Sequence, residues 1–164
     1  MINLEELTTD ELIDLYPGIL KELNKRDIIR TKNIVGEIGE YLAIKYYCNH
    51  SNLPKLQAAP IGTQNIDAIS KNGERYSIKS TSNNTTGVFF GLNPPESDEV
   101  DDRKFEYVII CVFDDTYCLK SIYELSWNAF LKHKKWHKRM NAWYLVVTKS
   151  LKQDCKVIYE SIGE

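Results

Sequence analysis

Apolar and polar residues alternate on both sides of an Asn-Gly pair near the middle of the chain. Over 64–81 this alternation flanks Asn72-Gly73, a pattern typical of two β-strands joined by a tight turn. The first predicted strand carries Asp67 and the second carries Lys79. We therefore predict a β-hairpin that presents an acid and a lysine. Its turn decides whether the two side chains reach the same face of the sheet.

Two turn geometries are compatible with Asn72-Gly73. In a two-residue loop, Asp67 and Lys79 would point to opposite faces. In a three-residue loop, with Gly73 in a left-handed bulge, Asp67 would lie opposite Ser77 and share its face with Ser77 and Lys79. We predict the three-residue loop.

Two helical patterns precede the hairpin. Thr8 followed by Glu11 is typical of a capping box, and apolar residues then recur at helical spacing. Pro17 predicts a kink or the start of a second short helix. A further helix is predicted from about Asn33 to Tyr47.

Two glycines, Gly36 and Gly39, lie within the Asn33 helix beside Glu40. Each glycine costs a helix roughly 1 kcal/mol relative to alanine. We expect that close approach of this helix to another backbone offsets the cost. That approach would bring Glu40 with it.

The rest of the pattern indicates an α/β (α+β) fold, with a mixed central sheet flanked by helices and N-terminal helices before the hairpin core. A nearly continuous apolar run at 105–113 predicts a strand buried on both faces. The connection at 82–100 is long for a compact domain, and connections of this length are usually either functional or disordered. The other predicted elements are strands at 56–59, 117–122, 143–148 and 155–159 and a helix capped by Ser121 or Ser126.

Length and composition predict one cytoplasmic domain. The 164 residues are 43% hydrophobic, enough for a single core. The four cysteines form no C-x-x-C pair, which favours reduced thiols, and neither a signal peptide nor a membrane span is indicated. We divide the domain, 1–164, into an N-terminal helical extension (1–31), a core (33–122) and a part with a basic helix and closing strands (123–164).

The net charge of −2 hides one basic region. No acid lies between Glu124 and Asp154, and basic residues there could neutralise nucleic-acid phosphates. Cations at a helix end, favoured by the helix dipole, are the equally weighted alternative. The candidate phosphate-binding residues are Lys132, Lys134, Lys135, Lys138 and Arg139.

Asp67, Lys79 and the upstream Glu40 are the residue types that metal-dependent phosphodiester hydrolysis requires. Carboxylates hold a hard cation such as Mg²⁺, and a lysine steadies the attacking water or the developing charge. The alternative is an ordinary salt bridge between Asp67 and Lys79 within the hairpin.

Three motifs resemble the PD-(D/E)XK nuclease superfamily. They are Gly36-Glu37-Ile38-Gly39-Glu40, Asn65-Ile66-Asp67 and Ser77-Ile78-Lys79. In that family a helix with a glutamate precedes a hairpin whose strands carry an aspartate and an acid-x-lysine. The resemblance covers Asn33 to about Ile122 and implies a restriction-endonuclease-like fold.

The resemblance further implies an Mg²⁺-dependent endodeoxyribonuclease, with Mn²⁺ as an alternative cofactor, of restriction or phage-defence type. The metal would be held by Asp67, Glu40 and the backbone carbonyl of Ile78, while Lys79 would position or activate the attacking water. The family usually has Glu, Asp or Gln where this chain has Ser77.

Two nearby acids, Glu37 and Glu74, could replace the charge that is missing at Ser77. Polar residues after the lysine could contact the DNA backbone; these are Ser80, Thr81, Asn83 and Asn84.

The predicted partner is DNA, with no membrane, and a homodimer or a larger restriction or defence complex is compatible with the resemblance. Two alternatives stay open. One is a catalytically inactive nucleic-acid-binding module on the same fold, and the other is a protein-interaction subunit.

Overall fold

The computed structural model describes residues 2–162, in which helices and strands are mixed. In chain order the elements are α1 (Thr9–Lys25), α2 (Ile34–Asn49), β1 (Leu56–Ala58), β2 (Ala68–Ser70), β3 (Arg75–Thr81), β4 (Tyr107–Phe113), β5 (Leu119–Ser126), α3 (Trp127–His133), β6 (Lys135–His137), β7 (Ala142–Tyr144), α4 (Lys149–Gln153) and β8 (Lys156–Glu160).

Six strands form one mixed sheet in the order β1-β2-β3-β4-β5-β8. Strands β3 and β4 run parallel, and the other neighbours are antiparallel. The prediction of an α/β domain with N-terminal helices and a mixed sheet is confirmed at this level.

Strand β4 lies inside the sheet and is buried on both faces, as its apolar run predicts. Ile109 and Cys111 pack towards α2, whereas Val108 and Ile110 pack into the core on the other side. That second core also contains Phe89 and the side chains of α3, α4 and β7. The sheet is therefore covered by α2 on one face and by the C-terminal elements on the other.

The C-terminal part differs from the predicted pattern. Strands β6 and β7 form a separate two-stranded sheet, and neither β6 nor α4 is predicted from the sequence. The predicted closing strand at 155–159 is β8, which joins the edge of the main sheet beside β5. Of the two candidate caps for α3, Ser126 is the one used.

The long connection at 82–100 is partly fixed by pairing with the chain around β7. Isolated bridges join Thr85 to Val146 and Phe89 to Trp143. The segment that follows β3 is thereby held in the layer that covers the second face of the sheet.

Helix α1 begins at the predicted Thr8 cap, and the complete capping box with Glu11 is formed. The second short helix considered at Pro17 does not form, because α1 continues through this residue to Lys25. Proline leaves one helical carbonyl without its donor, and on a helix without buried residues water can satisfy that carbonyl. Within the described residues no helix is both long and apolar enough to cross a membrane.

Candidate active site between the hairpin and helix α2

The turn between β2 and β3 is the predicted three-residue loop. Gly73 N–H donates to Ser70 O at 3.0 Å, and Ser70 N–H donates to Glu74 O at 2.9 Å. Gly73 has a φ of +85°, the left-handed conformation that this bulge requires. The register pairs Ala68 with Tyr76, and at the next position the Ser77 hydroxyl lies 3.4 Å from Asp67 Oδ2. Asp67 and Ser77 therefore share one side of the hairpin, as the three-residue loop predicts.

The Asp67 carboxylate is fixed on one side only. Its Oδ2 accepts hydrogen bonds from Ile78 N–H at 2.6 Å and from the Ser77 hydroxyl at 3.4 Å. Its Oδ1 has no hydrogen-bond partner among residues 2–162. Because the N–H and C=O of one strand residue point to the same side, the carbonyl of Ile78 also faces the side on which Asp67 lies.

Close approach of α2 to the sheet occurs at Gly39. A Cβ added there would lie 1.9 Å from Ser80 Oγ, so only glycine allows this contact without a shift. The predicted close approach, which brings Glu40 to the hairpin, occurs at Gly39, but the nearest atoms belong to the side chains of Ser80 and Phe113 and not to another backbone. Gly36 has a different role, since its added Cβ would meet the side chain of Asn33, the N-cap of α2.

Two surface cavities meet at Glu40 and Asp67. One, of about 210 Å³, is also lined by Lys79, Ser80 and Gly87. The other, of about 270 Å³, is lined by residues 30–31 and 58–63 among others. The three residues predicted to carry chemistry, Glu40, Asp67 and Lys79, therefore line one cavity.

The electrostatic environment of Glu40 is unusual for a surface acid. Burial and, as the second cause, the neighbouring carboxylate of Asp67 raise the pKa of Glu40 from 4.5 to about 7, although Arg30 and Lys79 act in the opposite direction. Near neutral pH the Glu40 carboxyl group is thus partly protonated. A cation bound beside Glu40 and Asp67 would favour the charged form.

Lys79 and Asp67 do not form the salt bridge considered as the alternative. Among the described residues, neither takes part in any salt bridge. The Lys79 ammonium instead lies 5.0 Å from the centre of the Phe89 ring, a cation–π contact. Its hydrogen-bond donors are thus not committed to a carboxylate.

The structure brings neither substitute acid into contact with Ser77. Glu37 lines the larger cavity, but its Oε2 accepts hydrogen bonds from the backbone N–H groups of Arg30 and Thr31 at 2.6 and 3.0 Å. Glu74 accepts a hydrogen bond from the Ser70 hydroxyl inside the turn.

Strand parity also excludes Glu74 from the face of Asp67, because Glu74 lies an odd number of positions from Ser77. No group of three or more Asp, Glu, His or Cys residues within 2–162 is arranged to hold a metal ion. The two carboxylates, Glu40 and Asp67, are the acids that the site offers.

The polar residues after Lys79 have different surroundings. Ser80 lines the smaller cavity, and its buried hydroxyl has no hydrogen-bond partner within the described chain. Thr81 is buried and donates to Asn83 Oδ1 at 3.1 Å, so it stabilises the loop rather than facing a ligand. Asn83 and Asn84 are exposed.

The basic run splits into two groups. Lys132 pairs with Asp154, and Lys134 pairs with Asp101 at 2.9 Å and lies 4.0 Å from the centre of a Trp143 ring. These two lysines therefore have intramolecular partners. The remaining candidates are exposed and form no salt bridge within residues 2–162: Lys135, Lys138 and Arg139.

Arg30 is the site residue that sequence reasoning missed. Its guanidinium lies 3.8 Å from the carboxylates of both Glu37 and Glu40, and it lines the same cavity as Asp67. Arg30 follows α1 in a segment without periodicity, so the sequence pattern contains no indication of this contact.

Comparison with models of known protein families finds no match, and comparison with curated proteins finds no similar sequence. What the chain does must therefore be inferred from its own residues and their geometry.

Proposed function

We propose that this chain is a divalent-metal-dependent nuclease of restriction-endonuclease-like fold that hydrolyses DNA phosphodiester bonds. The observation that supports it best is the convergence of Glu40, Asp67 and Lys79 on one cavity. Two independent features produce this convergence, the bulge at Gly73 and the close approach at Gly39. The order of the motifs, as in the PD-(D/E)XK superfamily, supports the same proposal.

The donor set fits a hard divalent cation. Mg²⁺ in enzymes is commonly held by one or two carboxylates, with waters and substrate phosphates completing its shell. Glu40 and Asp67 supply two carboxylates, and the carbonyl of Ile78 faces the same side. Bound Mg²⁺ or Mn²⁺ would polarise the scissile phosphate and lower the pKa of a water molecule.

The protein side chains would orient the substrate and stabilise charge. Asp67 is held in place by the N–H of Ile78, which leaves Oδ1 for the cation. Lys79 would hold the attacking water or stabilise negative charge on the phosphate. The Ser80 hydroxyl is buried against Gly39 of α2, so the predicted contact of Ser80 with the DNA backbone is not part of this proposal.

The exposed basic residues would hold the DNA farther from the scissile bond. Gly87 lines the smaller cavity, and the same segment reaches β7 through the bridge from Phe89 to Trp143. Strand β7 pairs with β6, which is followed by Lys138 and Arg139. Phosphate contacts there would make the affinity depend on salt concentration.

A defence role in the cytoplasm is part of this proposal. All four cysteines carry free thiols, as expected in a reducing compartment.

Cleavage assays with plasmid and linear DNA in Mg²⁺ or Mn²⁺ test the proposal. Asp67→Asn and Lys79→Ala should each reduce the cleavage rate by roughly 100-fold or more, because Asp67 would hold the cation and Lys79 would act on the attacking water or the phosphate. Asp115→Asn and Lys71→Ala are matched controls at exposed positions and should cleave at the wild-type rate. Equal cleavage rates in wild type and all four variants would contradict the proposed site.

Ser77 favours one second candidate, a nucleic-acid-binding protein without catalysis. It supplies no negative charge where the PD-(D/E)XK superfamily usually has an acid or glutamine, and no third acid within residues 2–162 takes its place. A gel shift whose affinity falls steeply with salt, without cleavage in either metal, would favour this candidate. A protein that neither cleaves nor binds DNA would exclude both.

A further inference from the structure

Arg30 is anchored through its backbone and not through its side chain. Ile29, the residue before it, is buried, and its carbonyl accepts a hydrogen bond from the Asn24 side chain at 2.9 Å. The N–H groups of Arg30 and Thr31 donate to Glu37 Oε2 at 2.6 and 3.0 Å. Glu37 is itself a buried residue of α2. The segment that carries Arg30 is therefore fixed beside the candidate active site.

The guanidinium group of Arg30 has no hydrogen-bond acceptor within residues 2–162. It lies 3.8 Å from the carboxylates of Glu37 and Glu40, which is beyond hydrogen-bond length. Arg75 in the same chain behaves differently, because its Nε and Nη2 donate to the two carboxylate oxygens of Glu106 at 3.0 and 2.7 Å. The Arg30 side chain is also 39% exposed. Its donors are thus available to a ligand.

The two cavities place Arg30 and Lys79 around the same pair of acids. Arg30 lines the larger cavity, Lys79 lines the smaller one, and both cavities contain Glu40 and Asp67. A nucleic-acid strand whose scissile phosphate lay at these acids would extend into both cavities. The next phosphate of that strand would then lie in the larger cavity, where a guanidinium group can donate two parallel N–H bonds to its oxygens.

Acids outnumber basic residues in the wall of the larger cavity. Its ionisable side chains are three acids, Glu37, Glu40 and Asp67, and one base, Arg30. With all of them charged, the excess of negative charge would repel a phosphate, and this excess equals the charge of one divalent cation. A cation held by Glu40 and Asp67 would remove that repulsion and would weaken the attraction of Arg30 to Glu40. Binding of phosphate at Arg30 should therefore require the cation.

We propose that Arg30 binds the phosphate next to the scissile phosphate, in the larger cavity, and that it does so only when a divalent cation is held by Glu40 and Asp67. The inference rests on the proposed nuclease function, because that function places the scissile phosphate at these two acids. It assigns to the larger cavity an internal phosphodiester of the strand that is cut.

Fluorescence anisotropy with labelled DNA, in EDTA and in Ca²⁺, tests this proposal. Ca²⁺ takes oxygen ligands, as Mg²⁺ does, and electrophoresis checks that the DNA stays intact. In Ca²⁺, Arg30→Ala should bind about 10-fold more weakly than wild type, because one charge-assisted contact is lost. Its salt dependence should fall by about one phosphate contact. In EDTA the two proteins should bind equally.

Arg26→Ala is the matched control. It removes the same charge from an arginine that pairs with Glu22 on α1, and it should bind as wild type does in both conditions. Arg30→Lys keeps the charge without the planar pair of donors, so it should keep the wild-type salt dependence and recover only part of the affinity. Circular dichroism checks the fold of each variant. If Arg30→Ala loses its fold, Arg30→Lys decides, and wild-type affinity of Arg30→Lys in Ca²⁺ would then overturn the proposal.

Three results would overturn the phosphate contact. The first is wild-type affinity of a folded Arg30→Ala in Ca²⁺, and the second is an equal loss in EDTA and in Ca²⁺. The third is a loss seen only with DNA that carries a 5′-terminal phosphate, since the strand end and not an internal phosphodiester would then lie at Arg30. The same loss with 5′-hydroxyl and 5′-phosphate DNA is the expected result.

Cleavage assays in Mg²⁺ separate this inference from the proposed function. If wild type does not cut DNA but Arg30→Ala loses the Ca²⁺-dependent affinity, the nuclease proposal fails and the phosphate contact at Arg30 stands. If wild type cuts DNA and Arg30→Ala binds and cuts equally well, only the contact at Arg30 fails. A wild-type protein that does not bind DNA in Ca²⁺ would overturn both.

Discussion

Replacing Glu40 by glutamine should stabilise the metal-free protein at alkaline pH. The Glu40 side chain is 26% exposed, and burial together with Asp67 raises its pKa from 4.5 to about 7. Above this pKa the folded protein must hold two neighbouring carboxylates in charged form. Glutamine keeps the size of the side chain and removes one of the charges.

The size and sign of the effect follow from the pKa. A folded-state pKa above the unfolded value means that the folded protein binds the proton more tightly. The contribution of Glu40 is therefore most favourable below pH 4.5 and is lost as the pH rises through 7. Each pKa unit corresponds to about 1.4 kcal/mol, so the upper limit is about 3 kcal/mol. Because solvent screens this partly exposed group, we expect about 2 kcal/mol.

Urea unfolding in EDTA at pH 5 and pH 8.5 measures this difference. Between these two pH values, the wild-type free energy of unfolding should fall by about 2 kcal/mol more than that of Glu40→Gln. Glu99→Gln, at an exposed position, is the control and should follow wild type. Mg²⁺ at pH 8.5 should stabilise wild type more than Glu40→Gln, because the variant lacks one ligand. Identical pH dependence in wild type and Glu40→Gln would refute the electrostatic reasoning.

Three further substitutions test packing by urea unfolding. Gly39→Ala should destabilise by about 1 to 2 kcal/mol, because the clash with Ser80 Oγ outweighs the gain in helix propensity, and the loss should nearly vanish in a Ser80→Ala background. An equal loss from Gly39→Ala with Ser80 present and with Ser80→Ala would contradict this contact. Gly73→Ala should cost about 1 kcal/mol, since the left-handed backbone disfavours alanine, and unchanged stability would argue against the bulge. Lys134→Ala should cost about 2 kcal/mol by leaving the largely buried Asp101 unpaired, and a loss below about 0.5 kcal/mol would show that this pair is not structural.

The parts of the site that could be predicted from the sequence depend on local backbone chemistry. An Asn-Gly pair limits a hairpin to a few turns, and the choice between them fixes which side chains share a face. The close contact at Gly39 could be predicted because a glycine inside a helix lowers its stability, and some contact must offset that loss. The same reasoning failed for Gly36, because the side chain that occupies the space there belongs to Asn33, the N-cap of the same helix, and not to another element.

The parts that could not be predicted depend on partners that lie in other elements or far away in the chain. The basic run looks uniform in the sequence, yet Lys134 pairs with Asp101, 33 residues away, and Lys132 with Asp154, 22 residues away. Arg30 reaches Glu37 and Glu40 only because its segment folds back along α2. Periodicity and capping rules describe neighbours on one element and contain no information about such pairs.

Ser77 has a physical consequence for the proposed nuclease. It is fully buried, and its hydroxyl lies 3.4 Å from Asp67 Oδ2. An acid at this position would put a third carboxylate beside Asp67 and near Glu40, whose pKa is already raised to about 7. Three close carboxylates without a cation would repel each other strongly. With serine the site contains two carboxylates, and Glu40 also lies 3.8 Å from the Arg30 guanidinium, so less repulsion opposes folding in the absence of a cation. Compared with an acid at this position, Ser77 supplies one anionic ligand fewer, so the affinity of the site for the cation should be lower. That affinity should rise with pH as Glu40 loses its proton.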